Sequence, residues 1–429
     1  MTLDLAGIGI GPFNLSLAAL ADNVTGLDVA FFDRKPNFTW HPGLAFEDSE
    51  MQTSYLKDMV TPVQPTSSWS FLNYLVVQGR FYDFMAARFD TVSRREFTDY
   101  MAWVAESLGT CTFATSIQEV DHDGNRFTLK TDSGQTIRAT SIAVGTGPVP
   151  RIPADAPLGQ NCYHGIEYLN RKADMRGKRV VVVGGGQTGA EIVLDLLSEH
   201  PGPDELTWLS RRDAFWHLQE GSLVDQIFTP AYQRAYRQLP AEIQQHALAN
   251  QKYSSDGLTP ATADQVYRAL YRQRYVNGHG QTSLRPGREV THITPRYGAF
   301  ELTATATDGQ TEGLTADVVI LATGFETTLP DCLSPLASRI DLQPGGALQL
   351  GDAYRVQWDG PDDAPIYGLN HGRQSHGIVD PQLSLTAWRS AVILEDLTNR
   401  HLFAALRGNQ VGLVDWETMS GPVDIRISA

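Results

Sequence analysis

Two glycine-rich turns, each between an apolar run and a helix-like stretch, constrain the fold of this chain more than any other feature. Residues 3–10 lead into the first turn, and Arg179–Val183 lead into the second. Glycines let the backbone approach a pyrophosphate, and the free N–H groups at the start of the following helix favour that anion. The second turn satisfies G-x-G-x-x-G, whereas the first has proline at the third position. The candidate pyrophosphate contacts are Gly7, Gly9, Gly11 and Pro12 in the first turn and Gly184, Gly186, Gln187 and Gly189 in the second.

The residues that follow the next strand differ between the two turns. After the first turn, the apolar run 29–32 ends at Asp33, whose carboxylate can accept hydrogen bonds from a ribose diol. After the second turn, the run 206–209 is followed by Arg211 and Arg212. A carboxylate would repel a 2′-phosphate and arginine would pair with it, so the second turn is predicted to prefer NADPH to NADH. The alternatives are a glycine turn that opens any α/β domain, and two solvated arginines at a strand end.

Two further apolar runs, 141–147 and 317–325, contain a small residue followed by threonine and glycine, which in the later run are Thr323 and Gly324. Such turns let the chain cross closely between nucleotide-binding domains. This plan resembles the flavin monooxygenases in which an NADPH-binding domain is inserted into an FAD-binding domain. We therefore predict an α/β fold with two Rossmann-like dinucleotide-binding domains and a helical substrate-binding region. The predicted bounds are 1–165 and 325–429 for the FAD domain, 166–220 and 284–324 for the NADPH domain, and 221–283 for the helical region.

Charge and cysteine content exclude several function classes. Lys and Arg number 34 against 49 acidic residues, a formal net charge of −15, which disfavours nucleic acid or anionic lipid as the main partner. Cys111, Cys162 and Cys332 form no C-x-x-C, so neither a redox disulfide nor a local zinc site is predicted, and no metal is expected. Few, scattered cysteines suit a reducing cytoplasm. No apolar run approaches the roughly 18 residues that a membrane span needs.

Long stretches of the chain match one family of flavoenzymes. They are residues 8–15, 40–43, 51–58, 65–67, 70–75, 92–97, 376–385 and 387–390. Through them the chain resembles, across nearly its full length, the N-hydroxylating monooxygenases of hydroxamate siderophore synthesis, and among these the lysine side-chain N-hydroxylases and their diamine-acting relatives. The missing C-x-x-C argues against disulfide reductases. A missing aromatic–Gly–His–Trp sequence before the second turn argues against Baeyer–Villiger and sulfur-oxygenating enzymes.

The resemblance implies FAD and NADPH as cofactors and oxygen as co-substrate. In that family NADPH reduces FAD, oxygen adds to give a flavin hydroperoxide, and the unprotonated amine attacks its distal oxygen. Arg211 matches the arginine that recognises the 2′-phosphate of NADPH. The partner is then a small-molecule amine, and the expected assembly is a homo-oligomer, either a dimer or a tetramer. Because a free alkylammonium has a pKa near 10.4, deprotonation at pH 7 costs about 4–5 kcal/mol unless the site shifts it.

The resemblance also places single residues around the flavin. Trp40, His41 and Gln52 are expected beside it, with Gln52 as the catalytic candidate. Pro381 and Leu383 lie near the expected start of the C-terminal helix, at about 380–383, whose positive end would face the flavin pyrimidine. The alternatives are core packing for Trp40 and His41 and a satisfied loop amide for Gln52.

Three residues are candidates for substrate binding. Lys57 matches the lysine that holds the substrate carboxylate in ornithine-acting members, and its alternative is a surface lysine capped by Asp58. Asp225 stands where those members have an asparagine. Those members have a second asparagine, which is not retained here, and Ser255 lies about where it would fall. These changes argue against ornithine. Lys57 could hold the carboxylate and Asp225 the ammonium of an α-amino acid, so L-lysine is the predicted substrate.

Other interpretations of the same residues stay open. A diamine, cadaverine or putrescine, has a cationic distal end that Asp225 would attract and Lys57 would repel. An NADPH oxidase that does not oxygenate a substrate would share both glycine turns. A flavin-binding redox sensor is the non-enzymatic alternative.

Overall fold

The computed structural model describes residues 2–199, 201–278, 281–407 and 413–416, so 408–412 and 417–429 of the predicted segment 325–429 lie outside the described residues. The strands in these ranges are β1 (Thr2–Ile8), β2 (Val29–Phe32), β3 (Cys111–Thr112), β4 (Ile117–His122), β5 (Phe127–Thr131), β6 (Thr136–Val144), β7 (Val149–Pro150), β8 (Cys162–His164), β9 (Arg179–Val183), β10 (Glu205–Leu209), β11 (Gln281–Arg285), β12 (Arg288–Arg296), β13 (Ala299–Ala306), β14 (Thr311–Ala316), β15 (Val318–Leu321), β16 (Phe325–Glu326) and β17 (Ile366–Gly368). The α-helices are α1 (Pro12–Ala21), α2 (Phe71–Val77), α3 (Phe81–Ala87), α4 (Arg94–Ser107), α5 (Tyr168–Arg171), α6 (Gln187–Ser198), α7 (Pro230–Arg237), α8 (Ala241–Asn250), α9 (Pro260–Tyr271), α10 (Arg373–His376) and α11 (Thr386–Thr398).

The first sheet carries the first glycine turn. Its strand order is β3-β2-β1-β6-β5-β4, with β17 also paired to β6. Strands β1, β2, β3, β6 and β17 are parallel, whereas β4 and β5 add an antiparallel hairpin. β1 ends at Ile8, two residues earlier than the run 3–10 suggests, and Pro12 at the first position of α1 supplies a backbone angle that suits a helix start.

The second sheet carries the second glycine turn. Its order is β11-β10-β9-β15-β8, and every pair in it is parallel. The valine-rich β9 has the predicted bounds, as expected for a strand that is covered on both faces. The predicted α/β class is confirmed. The domain bounds stay predictions, and β8 pairs in this sheet although it precedes residue 166.

Three features differ from the sequence-based expectation. β11 begins inside the predicted helical region 221–283 and extends beyond it to Arg285; the region also contains α7, α8, α9 and a π-helical stretch, Arg272–Asn277. β12, β13 and β14 form an antiparallel sheet that was not predicted. α11 begins at Thr386 after a 3-10 turn over Leu383–Leu385, so its start at about 380–383 was predicted too early.

In the described ranges, no helix is long and apolar enough to cross a membrane.

Each glycine turn packs closely against one of the two segments that cross between the sheets. A Cβ atom added to Gly9, whose φ is +84°, would lie 2.7 Å from the carbonyl oxygen of Gly145. A Cβ atom added to Gly184, whose φ is +131°, would lie 1.9 Å from the carbonyl oxygen of Ala322. Because each carbonyl belongs to the residue directly after a buried strand and has little room to move, both positions require glycine.

Gly184→Ala should therefore lower the free energy of unfolding by about 3 kcal/mol or more, because backbone strain adds to a backbone overlap. Gly186→Ala is the matched control: its φ is −104° and an added Cβ would meet nothing within 4 Å. We expect this control to stay within about 1 kcal/mol of the wild type. Urea unfolding of the two variants checks this, and equal stabilities would contradict the close approach.

Candidate active site

A cleft of about 2880 Å³ opens at the carboxyl ends of β1 and β9. Because sites for single small ligands occupy roughly 300–1,000 Å³, this cleft has room for more than one ligand. The predicted residues that line it are Gly9, Gly11, Pro12, Asp33, Trp40, His41, Gln52, Lys57, Gly184, Gly186, Gln187, Arg211, Asp225, Ser255, Thr323, Gly324, Pro381 and Leu383.

Gly7 and Gly189 lie behind the wall of the cleft. A Cβ atom on Gly7 would lie 2.0 Å from the ring of Phe31, and one on Gly189 would lie 2.1 Å from the carbonyl oxygen of Gly184. These two glycines thus permit the close packing of β2 and of α6, and the turns contact the cleft through their other members.

The first turn forms a cradle that fits a dinucleotide. No side chain caps α1 in the described part of the chain, so its first N–H groups are available to an anion. Asn14 was not predicted as a site residue, although it lies in the matching stretch 8–15, and it donates a hydrogen bond from Nδ2 to the carbonyl of Gly9 at 2.7 Å. Asp33 accepts hydrogen bonds from the N–H groups of Ile10 at 2.7 Å and Lys35 at 2.9 Å. These bonds orient a buried carboxylate at the cleft, as a ribose diol requires.

The side chain of Gln187 is engaged by the protein. Its Nε2 donates to Glu191 and to the hydroxyl of Thr262, both at 3.0 Å, and its Oε1 accepts from the N–H of Thr259 at 2.9 Å. Arg94 of α4 pairs with the same Glu191 at 3.2 Å. Gln187 therefore contributes its backbone N–H at the uncapped start of α6 to the cleft, while its amide joins the helical region to the second turn.

Arg211 and Arg212 have different environments. Arg212 donates to the backbone carbonyl of Asp256 and lies over the ring of Tyr253 at 5.6 Å. Arg211 is exposed to the cleft and makes no hydrogen bond or ion pair with any described residue. Arg211 is therefore the guanidinium that is free to meet a ligand.

Trp40 and His41 form part of the wall between the two turns. His41 has a φ of +48°, and its ring centroid lies 5.5 Å from that of Trp40 and 6.3 Å from that of Phe325. Desolvation, together with the charges of Arg94 and Lys35, lowers the pKa of His41 to about 4, so the ring is neutral at pH 7. A neutral imidazole adds no repulsion toward a cationic amine. Gln52 is exposed in the same cleft.

Lys57 is not capped by Asp58. The buried carboxylate of Asp58 accepts hydrogen bonds from the N–H groups of Val60, Thr61 and Phe71, at 2.6 to 2.9 Å, and from the Thr61 hydroxyl at 2.7 Å. Lys57 is half-buried in the cleft, and its ammonium has no hydrogen-bond or ion-pair partner among the described residues. The surface-lysine alternative thus loses its proposed partner.

Glu220, which the sequence motifs did not indicate, lines the cleft close enough to Asp225 to interact with it electrostatically. Asp225 is exposed in the cleft, and Glu220 lines it as well. Burial and the negative charge of Asp225 raise the pKa of Glu220. Ser255 donates to Asp256 at 2.7 Å, and Asp256 pairs with Arg373 at 3.1 Å. Asp225 and Glu220 are therefore more available to a cation than Asp256.

The crossing strands and the C-terminal loop complete the site. The hydroxyl of Thr323 donates to the carbonyl of Arg151, and the carbonyl of Gly324 lies 3.0 Å from Nε2 of His164. These contacts hold β7 against β16, whereas Pro381 and Leu383 line the cleft from the loop before α11.

Among the described residues, no group of three or more His, Cys, Asp and Glu side chains is placed to hold a metal ion.

Comparison with known proteins gives one consistent family. A family model described as L-lysine 6-monooxygenase/L-ornithine 5-monooxygenase matches residues 1–327. The chain is 40% identical over 408 residues to the L-lysine N6-monooxygenase of Escherichia coli, with 94% of this chain and 96% of that protein covered.

Two solved structures are similar over nearly the whole chain. The FAD-bound cadaverine monooxygenase of the desferrioxamine pathway of Erwinia amylovora is 29% identical, with a TM-score of 0.89 over 97% of this chain and 99% of that chain. The ornithine N-hydroxylase of Kutzneria sp. 744, with reduced FAD, NADP⁺ and L-ornithine, is 27% identical, with a TM-score of 0.87 over 93% and 100%.

The burial of His371 predicts that the stability of the fold depends on pH. Burial lowers the pKa of His371, which lines the cleft and accepts the N–H of Leu348, from 6.5 to about 4. As the pH falls from 6.5 to 4, the unfolded chain takes up a proton that folded His371 does not, so the free energy of unfolding falls by up to about 1.4 kcal/mol per pH unit. His371→Asn, which keeps an acceptor for Leu348, should lose this part of the slope.

Urea unfolding between pH 7 and pH 4.5 measures the effect. Exposed His246→Asn is the control, and we expect its slope to follow that of the wild type. Identical slopes for all three proteins would show that His371 is not held neutral by burial.

Proposed function

Because the chain belongs to the L-lysine 6-monooxygenase/L-ornithine 5-monooxygenase family, we propose that it uses FAD, NADPH and oxygen to convert the side-chain amine of L-lysine to a hydroxylamine for a hydroxamate siderophore. The observation that carries the choice of substrate is the Lys57 ammonium, half-buried and without a partner among the described residues, in a cleft that also exposes Asp225. An α-amino acid head group supplies one charge for each of them.

Each cofactor has candidate residues on this chain. The uncapped start of α1 and the carboxylate of Asp33 would hold the pyrophosphate and a ribose of FAD, and the start of α6 with Arg211 would hold NADPH. FAD, when bound, supplies hydride acceptance from NADPH and the activation of oxygen. The nucleophile is the substrate amine, so the protein needs no nucleophilic side chain.

The remaining task of the chain is to orient the amine and to exclude water. Lys57 would hold the substrate carboxylate, and Asp225 with Glu220 would hold its α-ammonium, so the side-chain amine points away from both charges toward the flavin. Trp40 and the neutral ring of His41 would shield that end from water. We also propose a cytoplasmic location and a dimer or tetramer, which rest on the cysteine content and the family resemblance.

A diamine is the second candidate, and one observation favours it. Glu220 and Asp225 together give the cleft a stronger attraction for a cation than Asp225 alone. Cadaverine would satisfy these acids but would leave Lys57 without an anionic partner.

Arg211→Gln should raise KM for NADPH by about tenfold or more, because a charge-assisted pair with the 2′-phosphate is lost, and should leave KM for NADH nearly unchanged. Arg34→Gln is the control, since it removes the same charge from the part of the cleft near the first turn. Steady-state NADPH and NADH oxidation measure both values. Equal effects on the two nucleotides would show that Arg211 does not contact the 2′-phosphate.

A panel of lysine, ornithine, cadaverine, putrescine and histamine tests the proposed reaction. We expect lysine to give the highest kcat/KM, with hydroxylamine formed in proportion to NADPH consumed. Lys57→Met should raise KM for lysine by about tenfold or more and leave KM for cadaverine unchanged or lower, because only lysine presents a carboxylate. Lys252→Met, at another position in the cleft, controls for the loss of one positive charge.

Two outcomes would replace the proposal. An unchanged KM for lysine in Lys57→Met, with cadaverine the better substrate, would assign the enzyme to diamines. Hydrogen peroxide equal to NADPH consumed with every amine would indicate an oxidase.

A further inference from the structure

A fully buried ion pair lies behind the loop that precedes α11. The side chains of Arg389 and Asp380 are 1% and 0% exposed, and Arg389 Nη2 lies 3.1 Å from Asp380 Oδ1. The same guanidinium donates to the backbone carbonyl of Asp380. Removing two charges from water is costly, and apolar residues of the same volume often stabilise a fold equally well. Stability alone therefore does not explain why a charged pair occupies this buried position.

The guanidinium of Arg389 also lies over two aromatic rings. Its central carbon is 4.3 Å from the ring centroid of Phe13 and 5.3 Å from that of Tyr354. Phe13 follows Pro12 in the first turn of α1 and lines the cleft. Arg389 thus supports, from behind, the helix start that we assign to the FAD pyrophosphate.

Asp380 supports the opposite wall. Its Oδ2 accepts the N–H of Gly372 at 2.7 Å, and Pro381 and Leu383, which follow it in the loop, line the cleft. A Cβ atom added to Gly372 would lie 3.0 Å from the Asp380 carboxyl carbon, so this loop is closely packed around the carboxylate. One ion pair therefore joins the start of α1 to the loop 381–384.

We infer that Arg389 is a positioning residue for FAD, fixing the distance between these two walls of the flavin site; this role rests on the proposed function. Arginine suits the position because its planar guanidinium can lie over the rings of both Phe13 and Tyr354, while its Nε and Nη1 have no hydrogen-bond partner among the described residues. A lysine ammonium cannot stack in this way.

Three variants at this pair and one control test the inference. Arg389→Lys keeps the charge, Arg389→Met removes it, and the double variant Arg389→Met/Asp380→Asn leaves no unpaired buried carboxylate while Asn still accepts from Gly372. Arg355→Met is the matched control, because Arg355 pairs with Asp396 of the same helix, α11, at 2.7 Å and neither residue lines the cleft.

The measurements are the Kd for FAD, from quenching of flavin fluorescence, and the rise in Tm that FAD produces in the apoprotein. We expect Kd to increase at least about tenfold in Arg389→Lys and in the double variant, with a smaller FAD-induced rise in Tm. In Arg355→Met, Tm should fall equally with and without FAD, and Kd should stay within about twofold of the wild type.

A double variant whose Kd for FAD is within twofold of the wild-type value would overturn the inference. An Arg389→Lys variant with an unchanged Kd, and with a Tm that falls equally with and without FAD, would overturn it as well. These outcomes leave the proposed function intact. A wild-type protein that takes up no FAD would instead overturn the proposed function itself.

Discussion

The closeness of two backbone segments at each glycine turn determines the arrangement of the rest of the molecule. Gly9 approaches the carbonyl of Gly145, and Gly184 approaches that of Ala322, at distances that admit no side chain. Each contact fixes a turn at the carboxyl end of a parallel sheet, where α/β folds bind their ligands. Because the same two crossing segments connect the sheets, through β7 and β16, both turns open into one cleft. Two nucleotides can therefore meet in a shared volume, which a hydride transfer requires.

Within this cleft, some polar side chains bind other parts of the protein, whereas their neighbours in sequence remain available to ligands. Asp58 is satisfied by its own loop, whereas Lys57 next to it is unpaired in the described residues. Arg212 is bound to the carbonyl of Asp256, whereas Arg211 faces the cleft. The pattern has a physical reason: a charge that already has a partner must lose that partner before it can bind a ligand, so pre-oriented but unpaired charges bind with less reorganisation.

The sequence predicted the parts of the structure that depend on local patterns. The run of valines in β9 lies between charged residues and a glycine turn, a pattern that predicts a buried strand. The predicted bounds of this strand were correct. Most of the residues predicted for the site, among them Gly9, Asp33 and Arg211, line the cleft, and their roles there stay predictions. Glu220 was missed because its position depends on backbone pairing of distant segments, such as Gln219 with Tyr253. The engagement of the Gln187 amide with Thr259 was missed for the same reason, since no local pattern brings the two together. The sheet of β12 to β14 lies outside any motif and was not anticipated.

The charges in the cleft also bear on the difference between lysine and a diamine. The ammonium of Lys57 is half-buried, and the nearest acid in sequence, Asp58, has all its bonding capacity directed to Val60, Thr61 and Phe71. Withdrawing such an ammonium further from water, as a substrate closing over it would do, is unfavourable unless an anion arrives with the substrate. A lysine carboxylate supplies that anion, whereas a diamine adds a second cation. Because Asp225 and Glu220 would attract either substrate, we propose that Lys57 discriminates between them.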